Sequence, residues 1–150
     1  MTAAKTLPYS LEAEQSVLGC ILIDNDTAVT AFGNLSEDDF YSATHKIIFN
    51  AMRGLFEKNS PVDLVTLSGV LTSTGKINNV GGIDYLTSLG DIVPSSANLR
   101  HYIEILKRNS VLRKIIHAGN KIASDGYQAS DEIAALAAAE KLIFDISREG

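Results

Sequence analysis

From Ser95 to Glu149 apolar residues recur at helical spacing for fifty-five positions, with one short interruption, Ser124-Asp125-Gly126-Tyr127-Gln128-Ala129-Ser130. That pattern predicts two long helices folded back as a hairpin. A hairpin this long in a chain of 150 residues cannot bury all of its apolar surface against one small body. Large leftover apolar surface marks an interface. The pattern therefore points to contact with other chains rather than to chemistry inside a pocket.

The rest of the chain is ordinary globular material, with 45% hydrophobic and 21% charged residues. A single domain of this length can bury a real core without disulfides or metals. Ser10 is a good N-cap for a helix reaching about Ile23. Asp24-Asn25-Asp26 caps a short helix that stops at Gly33-Asn34, and Ser36-Glu37-Asp38-Asp39 caps a brief turn. Ser42 opens a helix with Ile48, Phe49, Met52, Leu55 and Phe56 on one side, ended by Asn59-Ser60-Pro61. Asp63 caps the next helix, whose face is Leu64, Leu67, Val70 and Leu71, with Gly75 beyond its end. Gly81-Gly82 precede a short helix through Tyr85, Leu86 and Leu89. Ser95 or Ser96 then starts the first long helix. No alternating strand pattern occurs, and Asp125-Gly126, flanked by helical spacing, is taken as a helix stop. The expected fold is all-α: a flexible stretch over residues 1–7, a compact bundle of short helices over 8–94, and a helical hairpin over 95–150.

The first long helix carries two apolar stripes. Leu99, Tyr102, Ile103 and Leu106 make one; Leu112, Ile115, Ile116, Gly119, Ile122 and Ala123 make the other. The last helix carries Ile133, Leu136, Ala137, Ile143 and Phe144, with Leu142 and Ile146 beside them. Its alanine run (Ala134, Ala135, Ala137, Ala138 and Ala139) combines high helix propensity with a slim surface. Part of this surface must zip the hairpin to itself. The remainder is expected to pair with a second hairpin in another subunit.

Candidate chemistry is sparse. Gly69-Val70-Leu71-Thr72-Ser73-Thr74-Gly75-Lys76-Ile77 approaches a phosphate-binding loop. However, Val70 stands where the first glycine belongs, and Ile77 replaces the magnesium-binding hydroxyl. Gly75 is taken as a helix cap, and no ATP hydrolysis is expected from this chain. His45, His101 and His117 lack zinc-ligand spacing, so no metal is expected, and His45 is assigned a packing or capping role. Cys20, the sole cysteine, lies within Val17–Ile23 and reads as a buried structural thiol. With no apolar signal core at the N-terminus and no membrane-length apolar run, the expected location is a reducing cytoplasm.

Charge is uneven. Residues 1–98 carry a net −6, residues 99–126 a net +4 and residues 127–150 a net −3. Arg100, Lys107, Lys114 and Lys121 recur every seven residues and form a basic line. Such a line can attract nucleic-acid phosphates. A solvated face paired with acidic neighbours is the simpler account, and no aromatic residues interleave to stack bases.

The order of local strings says more. Pro8-Tyr9-Ser10-Leu11-Glu12-Ala13-Glu14-Gln15-Ser16-Val17-Leu18-Gly19 opens the series. Asp39-Phe40-Tyr41, then His45 and Ile48-Phe49 follow. Pro61-Val62-Asp63-Leu64-Val65-Thr66-Leu67 comes next, then Gly81-Gly82, Tyr85-Leu86 and Leu89. Ser95-Ser96-Ala97-Asn98 with Tyr102, then Arg113, and finally Ala139-Glu140 with Ile143-Phe144 close it. In order and spacing, from Pro8 to Ile146, the chain resembles the N-terminal domain of the bacterial replicative DNA helicase, the DnaB family.

The resemblance implies a bundle followed by a hairpin. Hairpins pair between subunits, and three such pairs form a collar over a hexameric ring. It implies docking of primase, and contact with a helicase loader is a further expectation. ATP and magnesium would serve only a downstream motor domain, which would also be the main DNA contact, beyond a linker expected to begin at Gly150. This chain would itself hold no cofactor and perform no catalysis. Under this resemblance Ile116, Leu136, Ile143 and Phe144 are expected at the subunit interface. Leu112, Ile115, Ile122 and Tyr127 are candidates for primase docking. Nucleic-acid contact through Arg100, Lys107, Lys114 and Lys121 is the alternative function.

Overall fold

A computed structural model of the chain describes residues 5–149. The expected flexible N-terminal stretch lies in part, at residues 1–4, outside the described residues. The α-helices are α1 (Leu11–Ile23), α2 (Ala28–Asn34), α3 (Ala43–Glu57), α4 (Leu64–Ser73), α5 (Gly82–Asp91), α6 (Leu99–Gln128) and α7 (Glu132–Glu149). Single 3₁₀ turns cover Asn25–Thr27, Glu37–Asp39 and Ile77–Val80. Among the described residues no strand occurs. Contacts divide the chain into two compact units inside α6. One is Tyr9–Lys107; the other takes in Arg108 onward together with the segment up to Pro8.

Short polar side chains set the helix starts in the first unit. Ser10 Oγ accepts from the Ala13 N–H at 3.1 Å, and Ser42 Oγ accepts from the His45 N–H at 3.3 Å. Asp63 and Thr66 form a reciprocal capping box at α4. Two helices end in paired left-handed caps. At α3, Asn59 (φ 58°) lets Ser60 N–H reach Leu55 C=O at 2.9 Å and its own N–H reach Phe56 C=O at 3.0 Å. At α4, Gly75 (φ 73°) does the same for Lys76 N–H and Leu71 C=O at 2.8 Å. Gly75 is thus a helix stop, and the phosphate-loop look-alike is the end of α4.

The core of this unit is built on Val17, Leu18 and Ile21 of α1 and Ile48, Phe49 and Met52 of α3. Leu67 and Leu71 of α4 join it, with Leu86 and Leu89 of α5. Leu99, Ile103 and Leu106, the first stripe of α6, are buried in the same core. Helices α1 and α5 cross so closely that a Cβ at Gly19 would stand 2.5 Å from the Leu89 carbonyl oxygen. No larger residue fits there without moving backbone. Cys20 is fully buried, and burial, helped by the neighbouring Asp24 carboxylate, pushes its thiol up to about 11. Thiol reagents at pH 7–8 are expected to leave the native chain unlabelled and to modify Cys20 once urea unfolds it. Rapid labelling of the folded protein would contradict this packing.

Two expected boundaries move. Helix α6 begins at Leu99, not at Ser95 or Ser96. The serines are used elsewhere: Ser96 Oγ donates to Asp24 Oδ2 at 2.7 Å, and Ser95 Oγ accepts from the Ala97 N–H at 3.3 Å. At the other end Asp125-Gly126 does not stop the helix. One glycine costs a helix only about 1 kcal/mol. Asp125 is spent on an i,i+4 ion pair with Lys121 at 2.7 Å, and α6 runs on to Gln128. The true break is only Ala129–Asp131. Asp131 Oδ1 caps α7, accepting from the Ile133 N–H at 3.0 Å and the Ala134 N–H at 3.4 Å.

Candidate interaction surface

Within the second unit, the later part of α6 and the whole of α7 form the hairpin, tied by Lys114 Nζ to Glu149 Oε2 at 2.6 Å. In α7 no residue is buried. Its half-buried positions are Ala135, Ala139, Leu142 and Ile146, spaced 4, 3 and 4, which is one helix face. Leu142 and Ile146 therefore belong to the face that closes the hairpin. The other stripe stays in solvent: Leu136 is 62%, Ile143 50% and Phe144 58% exposed, with Ile133 beside them. Ala139, Glu140, Ile143, Phe144 and Ser147 line a shallow apolar hollow on this stripe.

On α6, Leu112, Ile115 and Ile116 are exposed, and Gly119 and Ala123 continue their line without bulk. Ile122 is half-buried, so it offers less to a partner than its neighbours. Tyr127, near the hairpin turn, is 92% exposed. All four residues expected at a subunit interface, and three of the four expected to meet primase, thus lie exposed on the hairpin.

The basic line is largely neutralised. Lys107 Nζ lies 3.3 Å from the buried Asp39 carboxylate, Lys114 pairs with Glu149, and Lys121 pairs with Asp125. Arg100 is exposed and makes no ion pair among the described residues. Three of the four cations thus have an acidic partner within the chain.

The Tyr9–Lys107 unit holds one buried polar chain that sequence reasoning found only in part. His45 Nδ1 lies 2.8 Å from Glu14 Oε1, and its Nε2 lies 2.6 Å from the Tyr85 hydroxyl. Gln15 Nε2 donates to the same hydroxyl at 3.0 Å. Glu14 also accepts from the Tyr41 N–H at 2.7 Å and the Ser42 N–H at 3.2 Å. The order carboxylate–imidazole–hydroxyl superficially matches a hydrolase triad. Here every member ties one element to another: α1, α3, α5 and the Tyr41–Ser42 segment. Both Glu14 oxygens are committed to holding them, so the chain reads as a polar clamp. Its signal in the sequence was Glu14 itself, on the buried face with Val17, Leu18 and Ile21 at i+3, i+4 and i+7. Among the described residues no cluster could hold a metal ion, and no helix is long and apolar enough to cross a membrane.

Comparison with known proteins agrees with this architecture. The family model of the DnaB-like helicase N terminal domain matches residues 6–108. The chain is 41% identical over 142 residues to the replicative DNA helicase DnaB of Geobacillus stearothermophilus, covering 94% of this chain and 31% of that protein. It is likewise 41% identical over 142 residues to the replicative DNA helicase DnaC of Bacillus subtilis (strain 168), with the same coverage. The chain thus spans about a third, 31%, of the length of these curated relatives. The crystal structure of the N-terminal domain of DnaB helicase from Mycobacterium tuberculosis superposes with a TM-score of 0.90 at 31% identity. That match covers 94% of this chain and 99% of the other. A DnaB-like replicative helicase, solved in a study of its interactions with primase, shares the fold. Its TM-score is 0.75 at 24% identity, over 91% of this chain and 31% of that one. The chain belongs to the DnaB-like helicase N-terminal domain family.

Proposed function

We propose that this chain is the collar module of a replicative DNA helicase. It pairs with a second copy through the α6–α7 hairpin, as one of three pairs above a hexameric ring, and presents a docking surface to primase. ATP hydrolysis with magnesium, strand unwinding and the main DNA contact belong to a motor domain outside these residues. A helicase loader is a further candidate partner, and the cytoplasm is the place of work. The observation that carries the reading is the solvent-facing apolar stripe of both hairpin helices. Such a stripe, left in solvent, is what a pairing surface needs.

Ile116, Leu136, Ile143 and Phe144 are assigned to the sister subunit. Leu112, Ile115, Ile122 and Tyr127 are assigned to primase, with Tyr127 as the aromatic anchor. Support for primase comes from the structural neighbour whose solved form concerns its interactions with primase. A nucleic-acid-binding role for Arg100, Lys107, Lys114 and Lys121 has less behind it, because three of the four cations are already paired.

Titrating a primase C-terminal domain into the chain tests the docking assignment. Saturable binding is expected, weakened tenfold or more by Tyr127→Ala and by Ile115→Asp. Unchanged affinity in both variants would remove those residues from the site.

A further inference from the structure

One charged group stands in the middle of the exposed stripe of α7. At about 100° per residue, Ile133, Leu136, Ile143, Phe144 and Ser147 all fall within about 60° of Glu140. Glu140 also lines the hollow formed with Ala139, Ile143, Phe144 and Ser147. Among the described residues it has no hydrogen bond or ion pair, while the other charges of the C-terminal half of α7 are engaged. Lys141 pairs with Asp145 at 2.9 Å, and Glu149 pairs with Lys114 at 2.6 Å. Arg148 lies over the Phe144 ring at 5.7 Å from its centroid.

We propose that Glu140 is a specificity-determining residue for self-pairing: it weakens the pair and confines it to one register. The inference rests on the second-copy reading of the hairpin. An unpaired carboxylate at the centre of an apolar face must shed water when that face is covered, which opposes association. The opposition depends on position. Arrangements that leave Glu140 at the wet margin of the contact are tolerated, and those that bury it are excluded. A single polar group at a core position acts this way in coiled coils, fixing register and oligomer state at a cost in stability. Without it, the stripe holds only the apolar Ile133, Leu136, Ile143 and Phe144 and the small Ser147, and no charge would fix where a second helix lies along it.

Sedimentation of the full chain over a concentration series tests this with Glu140→Leu, Glu140→Gln and Ile143→Asp. Glu140→Leu is expected to tighten self-association tenfold or more and to add species larger than the dimer. Glu140→Gln should tighten it by less, with helix content unchanged in both. Association that is unchanged or weaker in Glu140→Leu overturns the proposal, and weaker association would mean that Glu140 meets a cation of the second copy. Ile143→Asp keeps the two ideas apart. If wild type associates and Ile143→Asp abolishes it, the pairing reading stands whatever Glu140→Leu does. If wild type and Glu140→Leu are both monomeric throughout, both ideas fall.

Discussion

Glu14→Ala is expected to destabilise the Tyr9–Lys107 unit by about 3 kcal/mol, because it removes the shared acceptor of a hydrogen-bond network. The carboxylate accepts from His45 Nδ1 in the buried interior and from the Tyr41 and Ser42 N–H groups at its part-buried edge. Each buried donor left unmatched costs about 1–3 kcal/mol. Small domains hold only about 5–15 kcal/mol in total, so the variant should unfold at much lower urea concentration or fail to accumulate. Glu14→Gln keeps the shape and part of the accepting capacity and should lose about half as much, which separates hydrogen bonding from mere volume. Urea melts followed by circular dichroism read both. A Glu14→Ala chain as stable as wild type would show that the clamp is not what fixes α1, α3 and α5.

Ile143→Asp should have the opposite profile, with little change in folding and a large loss of association. Ile143 is half-exposed in the single chain, and aspartate costs a helix interior under about 1 kcal/mol. In a pair the new carboxylate would be forced against apolar side chains, costing about 3 kcal/mol or more. That is roughly a hundredfold or greater rise in Kd for self-association. Phe144→Asp should behave alike. Melting curves that drop together with association would mean instead that these residues support the hairpin itself.

Much of this fold was legible in the sequence because it is written in local chemistry. Ser10, Ser42 and Asp63 cap where short side chains can accept backbone N–H groups, and Asn59 and Gly75 stop helices because they tolerate positive φ. The misplaced boundaries arose where the same residue types had a second use. Ser96 bonds to Asp24 across 72 positions, a contact no local pattern reveals. Asp125 pairs along its own helix and so did not end it, while Asp131, six residues later, does the capping. The exposed stripe of α7 was visible as periodicity. Which side closes the hairpin was not, because Leu142 and Ile146 are as apolar as Ile143 and Phe144, and only the packing separates them. Glu14 and His45 lie 31 positions apart, so the clamp needed the fold to assemble it.

The central claim is that the hairpin is a pairing surface. Sedimentation equilibrium of the wild-type chain, from micromolar to millimolar concentration and beside Ile143→Asp, tests it most directly. The account predicts a reversible shift from monomer to dimer mass in wild type and a monomer throughout in the variant. A wild-type chain that stays strictly monomeric at the highest concentration, or a variant that dimerises equally well, would contradict it.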